Sequence, residues 1–429
     1  MAEGYDPQSR LWYERIPNVA VPDKPGRADA KEALLRLRGR FRTFAFADAM
    51  RIMVPDCPVP VVDLRQPPAM DETAALVALF TAVCRPSLFL APGLAVCAPS
   101  FSGAGTGKGL LVRAICSIAF GASPVTITAG ADAQELEKRI ASALMEAAPA
   151  VSLDNLNATS LRSATLESAL TERPSHARVM GGNRIVALNA TAFITVTGNG
   201  LTLSGDTTRR FVTCELDAGL EDPETRPFTG DLLAELAADR GDLLRDVLTI
   251  WRWARQSAAE LKRGLALGSF GQWSRWCRDP LLTLGCADPV VRIADAKLND
   301  PRRRAVADLF FAWDRAHGGR ALTVAALAED VRTLADPDNK GRQYLAARIR
   351  NLAGTRLAGF VLVHEPTAGE WSADRYRLQR ASNEPDPESI GGHRDHRGQN
   401  NDDPLCPPMP PYGSEPGDPQ DPDDDEIIL

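Results

Sequence analysis

Between residues 61 and 220 or so, the chain alternates short β-branched apolar runs with stretches of helical periodicity, a pattern that predicts a parallel sheet flanked by helices. Leu94 to Ala98 reads as a buried strand, Gly107 to Phe120 as a helix and Val125 to Thr128 as a strand. Asp132 to Ala147 follows as a helix, with Asp132 at the N-cap and Glu135 three residues on. Ala150 to Leu153 is a strand and Ser160 to Glu172 an amphipathic helix. A hairpin is expected over Ala177 to Met180 and Arg184 to Leu188 around Gly181-Gly182-Asn183, then strands over Ala192 to Thr197 and Phe211 to Leu216. The region from about 230 to 290 carries Leu232, Leu236, Leu243, Leu244, Leu248 and Trp251 at helical spacing.

A second unit is expected over residues 300–380: a helix over Ala305 to Ala316, a short one opening at Thr323 to Leu327, one over Gln343 to Leu352, then strands at Phe360 to His364 and Tyr376 to Leu378. Three helices followed by a two-strand wing is a winged-helix order. The domain reading is therefore an N-terminal, partly helical extension (1–74), an α/β core (75–228), a helical region (229–295), the winged-helix-like unit (300–380) and a tail (381–429).

Charge changes the picture of the tail. The 429-residue chain has a formal net charge of -7, but residues 381–429 hold thirteen acidic and two basic residues, a net of -11. The remainder is thus +4 (-7 minus -11), mildly basic, which permits a phosphate-rich partner without requiring one. The acidic, proline-rich tail is expected to be disordered, a solubilising segment or a dock for a replication partner. A basic helical stretch with Lys31, Arg36, Arg38, Arg40 and Arg42 reads either as a helix face packed on the main domain or as a nucleic-acid contact. The eight cysteines form no C-x-x-C pair and read as core residues of a reducing compartment. The start is polar, and the apolar stretch from Ala74 to Ala98 is broken at Arg85-Pro86 and Pro92-Gly93, so a cytoplasmic protein with no membrane span is expected.

The sharpest chemical signal is Ser102-Gly103-Ala104-Gly105-Thr106-Gly107-Lys108-Gly109-Leu110, lying between an apolar strand and an apolar helix. Glycines let backbone N–H groups turn inward around an anion, the helix start adds its positive end, and Lys108 supplies a point charge for the β- and γ-phosphates of ATP. Gly103, Ala104, Gly105, Thr106, Gly107, Lys108, Gly109 and Leu110 are the expected ATP-binding positions. Gly109 stands where a hydroxyl normally reaches Mg²⁺, so the ion must rely on phosphate oxygens, water and a distant carboxylate. That carboxylate is Asp154, at the end of an apolar strand, holding Mg²⁺ through water. Asn155 stands where many such enzymes carry a glutamate; an amide orients water but is a poor base, leaving Glu167 or Glu172 as candidate helpers. Asn199 closes the Ala192 to Thr197 strand and is placed to hold the lytic water or the γ-phosphate. Arg209 and Arg210 precede the last strand, as surface ion-pair formers or as arginines entering a neighbour's site.

Taken together, Gly105-Thr106-Gly107-Lys108-Gly109-Leu110-Leu111, Leu153-Asp154-Asn155, the run from Thr197 to Asp206 and Arg209-Arg210 resemble the AAA+ ATPase domain of superfamily 3 helicases, and most nearly the primase–helicase-type ATPases of phages, plasmids and integrative elements. The resemblance covers roughly residues 75 to 290. It implies a P-loop NTPase sheet and an ATP- and Mg²⁺-dependent DNA helicase or translocase. It also implies a ring-shaped homo-oligomer, a hexamer, around single-stranded DNA. The hairpin would then project into the pore with Arg178, Asn183 and Arg184 following the phosphate backbone. Arg342, Arg348 and Arg350, with Lys340 just before, mark the candidate recognition helix of the winged unit. The short N-terminal segment holds no zinc-ligand cluster and no acidic catalytic set, so no primer synthesis is expected. Two other readings stay open: a slow, non-translocating ATPase switch, and a scaffold using a degenerate nucleotide site.

Overall fold

A computed structural model describes residues 3–6, 11–13, 17, 19–128, 133–157, 160–161, 163–178, 185–188, 191–203, 205–228, 230–293, 301–366 and 374–381. The chain divides into two compact units, Met1–Phe311 and Ala312–Leu429. The acidic tail, Asp132, and Asn183 and Arg184 lie outside the described residues.

The first unit is built on a five-stranded sheet in the spatial order Phe211–Glu215, Gly93–Ala98, Phe193–Asn199, Ala150–Asp154, Val125–Thr128. Every neighbouring pair is parallel, so all five strands end at one edge. The inner strands are buried along nearly their whole length, which explains why they read as unbroken apolar runs and not as alternating ones. One face of the sheet packs against the helices Arg27–Phe41, Met70–Cys84, Lys108–Phe120 and Arg240–Gln256, joined in one apolar cluster with Phe80, Ile115, Val212 and Ile250 at its heart. The other face packs against Ala133–Met145 and Ala164–Thr171 through Ile140, Leu144, Leu166 and Leu170. This is a mixed α/β, P-loop-like arrangement, as the periodicity predicts.

Two predicted elements shift. The Ser160 to Glu172 helix begins only at Ala164, because the Ser163 hydroxyl accepts the N–H of Leu166 at 3.1 Å and caps the first turn. Ser160–Leu161 instead pairs as a short parallel strand with Thr202–Leu203. The hairpin pairs Ser175–Arg178 with Ile185–Leu188, its first arm starting two residues earlier than expected, while residues 179–184 lie outside the described residues.

The N-terminal segment is part of this unit. Phe46 bridges Leu216, Ala47 N–H donates to the Glu215 carbonyl at 3.0 Å and Asp217 N–H to the Ala45 carbonyl at 2.8 Å, so the segment extends the sheet at the Phe211–Glu215 edge. Three arginines of the basic helical stretch are ion-paired: the buried Arg38 with the buried Glu72 (2.6 and 3.1 Å), the exposed Arg36 in a bidentate pair with Asp246 (2.9 and 2.7 Å), and the exposed Arg40 with Asp239. Burying Arg38 and Glu72 is tolerable because each charge has its partner in hydrogen-bond geometry. Gly271–Trp273, a π turn at Ser274–Arg278 and Asp279–Thr283 continue the helical region, with the Trp273 indole donating to the Thr81 hydroxyl at 2.8 Å.

The second unit opens with the end of the Pro301–His317 helix, followed by Glu329–Ala335 and Arg342–Leu352. Its antiparallel sheet runs Leu322–Thr323, Arg375–Arg380, Phe360–Glu365, Arg356–Leu357. The expected helix at Thr323 to Leu327 is instead this short strand plus a 3-10 turn over Val324–Ala326, and the helix proper starts at Glu329. His317 Nε2 accepts the Ala328 N–H at 2.9 Å just ahead of it. Trp313, Val331, Leu345, Ile349, Leu362 and Tyr376 are buried within this unit. Among the described residues no helix is long and apolar enough to cross a membrane, and no group of three or more His, Cys, Asp or Glu side chains gathers to hold a metal.

Candidate phosphate-binding site

Register explains why distant motifs meet. Asn199 lies opposite Ala98, the last residue of the strand that feeds the glycine loop, and Leu153 lies opposite Val196. The residues following all three strands therefore emerge side by side, at the carboxyl edge where open α/β sheets receive ligands.

The loop needs its glycines for different reasons. Gly105 (φ 67°) and Gly107 (φ 98°) occupy the left-handed region. A methyl on Gly105 would also lie 2.5 Å from Cα of Glu224. Gly103 is crowded: a methyl there would sit 2.3 Å from the Pro99 carbonyl and 2.4 Å from Oδ1 of Asn199. The helix Lys108–Phe120 starts directly after Gly107, so its first N–H groups face the loop. Lys108 folds back, its Nζ donating to the Gly103 carbonyl at 2.6 Å and standing 3.4 Å from Oγ1 of Thr106. The Thr106 hydroxyl donates to the same carbonyl at 2.9 Å. Burial holds the Lys108 ammonium below its ordinary pKa, while the carboxylate of Asp154 is near enough to pull it back up. Cys97, under the loop, is pushed up to about 12 by burial and stays a thiol.

Asp154 ends its strand half-exposed, with Oδ1 accepting a hydrogen bond from the Thr197 hydroxyl. Asn155 follows in the left-handed region (φ 67°). Asn157 Nδ2 donates to Oδ1 of Asn155 at 2.6 Å, and Asn199 N–H donates to Oδ1 of Asn157 at 2.8 Å. Asn199 Oδ1 is buried and without a hydrogen-bond partner among the described residues. A triphosphate with Mg²⁺ fits this donor set: an ammonium and N–H groups for phosphate oxygens, a carboxylate for a hydrated cation, and an orphaned acceptor that a water could satisfy. Gly109 offers no hydroxyl, and a methyl there would meet nothing within 4 Å.

Arg210 lies apart from the loop. Its guanidinium pairs with Glu167, which also accepts the Thr207 hydroxyl at 2.8 Å; Arg209 on the same turn is exposed. Glu172 accepts the Ser168 hydroxyl at 2.5 Å, so both candidate helper acids are engaged, Glu167 by the turn carrying Thr207 and Arg210 and Glu172 by its neighbour on the preceding helix. Arg178 takes its place on the hairpin opposite Ile185, which is 65% exposed; Asn183 and Arg184 lie outside the described residues. In the second unit Arg342 and Arg350 are exposed, Arg348 Nη1 stands 3.4 Å from the Tyr344 hydroxyl, and Lys340 sits over the Tyr344 ring (5.1 Å) while pairing with Asp338 (2.8 Å).

Three residues at the site escaped sequence reasoning. Thr197 holds Asp154, and Asn157 joins Asn155 to Asn199. Arg226 donates to the carbonyls of Gly105 (3.4 Å) and Thr106 (3.2 Å) and stacks over Phe228 (5.0 Å), bracing the loop from outside. Thr197 left a trace, since a hydroxyl inside a buried strand needs a partner. Arg226 left none, because its contact is long-range.

No protein-family model matches the chain, and no curated protein matches it. Among solved structures, the chain is similar to one described as the A form apo structure of the NrS-1 C-terminal region, CTR(305-718), with 14% identity over 88% of this chain and 84% of that one and a TM-score of 0.39. It is also similar to JCV helicase, at 11% identity over 66% of this chain and 71% of that one, TM-score 0.21. A second JCV helicase structure, with a thiazolopyridinyl-phenoxyphenyl acetamide bound, is similar at 13% identity over 64% and 74%, TM-score 0.24.

Proposed function

We propose that the first unit binds ATP with Mg²⁺ and hydrolyses it, and that a ring of such chains uses this turnover to move along single-stranded DNA during replication of a mobile element. The observation that carries the hydrolytic reading is the meeting of Lys108, Asp154 and Asn199 at one sheet edge, with Gly103 packed on the Asn199 amide. Gly103 to Leu110 cradle the phosphates through backbone N–H groups, and Lys108 exchanges its contact with the Gly103 carbonyl for phosphate oxygens. Asp154, fixed by Thr197, holds the hydrated Mg²⁺, which supplies charge neutralisation on the phosphates. Asn155 and Asn199 orient the attacking water, and Arg209 or Arg210 completes the site of a neighbouring copy.

The second unit is read as a winged-helix module that meets DNA through the exposed Arg342 and Arg350 of its Arg342–Leu352 helix. The hairpin residues Arg178, Asn183 and Arg184 are assigned to the DNA backbone, and the acidic tail to a protein partner. One observation favours slow turnover: the position after Asp154 is an amide, whose Oδ1 already accepts a hydrogen bond from Asn157, and an amide is a poor base.

The testing experiment is ATP turnover by the full chain with and without single-stranded DNA, beside a strand-separation assay. Stimulation together with strand separation is the expected result. Hydrolysis that ignores DNA, with no unwinding, would replace the motor by an ATP-driven switch.

A further inference from the structure

The three asparagines at the sheet edge form a chain whose polarity is dictated from one end. A backbone N–H can only donate, so Asn157 must present Oδ1 to the N–H of Asn199, as it does at 2.8 Å. The other end of the same amide is then an NH2 group, which faces Asn155 at 2.6 Å and obliges Asn155 to offer its own Oδ1. The NH2 end of Asn155 is thereby turned the other way. Two further contacts hold the frame: Leu156 N–H donates to the Thr197 carbonyl at 2.9 Å, and the bare Cα of Gly198 lets the Leu156 carbonyl approach to where a methyl would be 2.3 Å away. The turn carrying Asn155 and Asn157 is thus clamped to the strand carrying Thr197 and Asn199.

We infer that Asn157 is a positioning residue for hydrolysis, setting the direction of the Asn155 amide so that its NH2 donates to the attacking water while the orphaned Oδ1 of Asn199 accepts a hydrogen bond from the same water. One donor and one acceptor fix a water more fully than two alike, because they determine both its lone-pair and its O–H directions. This assignment rests on the hydrolytic reading given above.

The decisive variant is Asn157→Asp. A carboxylate still accepts the Asn199 N–H but cannot donate to Asn155, whose amide must flip to pair with it. The hydrogen bonds from Asn199 through residue 157 to Asn155 survive and the polarity toward the water is reversed. The expected result is an unchanged melting temperature, binding of a fluorescent ATP analogue changed by less than about 5-fold, and kcat lower by on the order of 10-fold or more. Wild-type kcat in N157D would overturn the assignment, since a purely structural Asn157 is replaced well by aspartate. Should N157D fail to fold, Asn157→Ala decides in its place: its kcat penalty should shrink in an Asn155→Ala background, and an equal penalty in both backgrounds would overturn the assignment. A wild type that binds the analogue without hydrolysing ATP overturns the hydrolytic reading, and this assignment falls with it; normal wild-type turnover with a silent N157D overturns only the latter.

Discussion

Gly103 and Asn199 touch: a single methyl added to the glycine would lie 2.4 Å from the asparagine's Oδ1 and 2.8 Å from its Cγ. The phosphate-type loop and the end of the central strand thus share one wall, and movement of either is felt by the other. Gly103→Ala should therefore displace Asn199 or the loop, with overpacking of about 1–3 kcal/mol and at least a ~10-fold loss of ATP turnover. Turnover and thermal melting of the variant check this; wild-type activity would mean that the contact is slack.

Thr197→Val keeps the volume of the side chain and removes the hydroxyl that fixes Asp154. The expected outcome is a ~10–100-fold weaker apparent Mg²⁺ affinity, read from Mg²⁺ titration of hydrolysis, with little change in saturating analogue binding.

Lys108 gives a pH dependence with a definite sign. Burial lowers its pKa in the free site, and arriving phosphate charge raises it. Between those two values the complex holds the proton more than the free site does, so binding takes up protons and affinity falls as pH rises. The Asp154 carboxylate opposes the lowering without reversing it. Titrating an ATP analogue from about pH 7 to about pH 10 should show weakening in the wild type and a flat response in Lys108→Arg, whose guanidinium stays charged.

The adjacent arginines should separate cleanly. Arg210→Ala breaks a largely buried pair with Glu167 and should cost about 1–3 kcal/mol, seen as a lower melting temperature. Arg209→Ala, at an exposed side chain, should leave stability within about 0.5 kcal/mol while cutting turnover by on the order of 100-fold. If only R210A loses activity at temperatures where it is folded, the finger role passes to Arg210.

Legibility in the sequence followed the range of the interaction. The strand Gly93–Ala98 and the helix Lys108–Phe120 were readable almost to the residue, because burial on both sheet faces and a glycine at the helix start leave local signatures. Asp154 and Asn199 were readable as strand-ending polar residues, but nothing local says that they share an edge; only the register with Ala98 and Val196 does. The start of the Ala164–Thr171 helix was missed because Ser160 and Ser163 both qualify as caps, and pairing of Ser160–Leu161 with Thr202–Leu203 decides between them. The charges of Arg36, Arg38 and Arg40 are open to two readings in the sequence, and their pairing with Asp246, Glu72 and Asp239 rests on partners far along the chain. Arg226, bracing the glycine loop from far along the chain, is the kind of contact that periodicity does not encode.

The central claim is that the cradle around Lys108 is a hydrolytic ATP site, and the most direct measurement is phosphate release by the purified full chain beside Lys108→Ala. Mg²⁺-dependent release by the wild type, falling by about 100-fold or more in K108A with the fold intact, is the predicted result. Equal release by the two proteins, or none from the wild type in the presence of ATP, Mg²⁺ and single-stranded DNA, would contradict it.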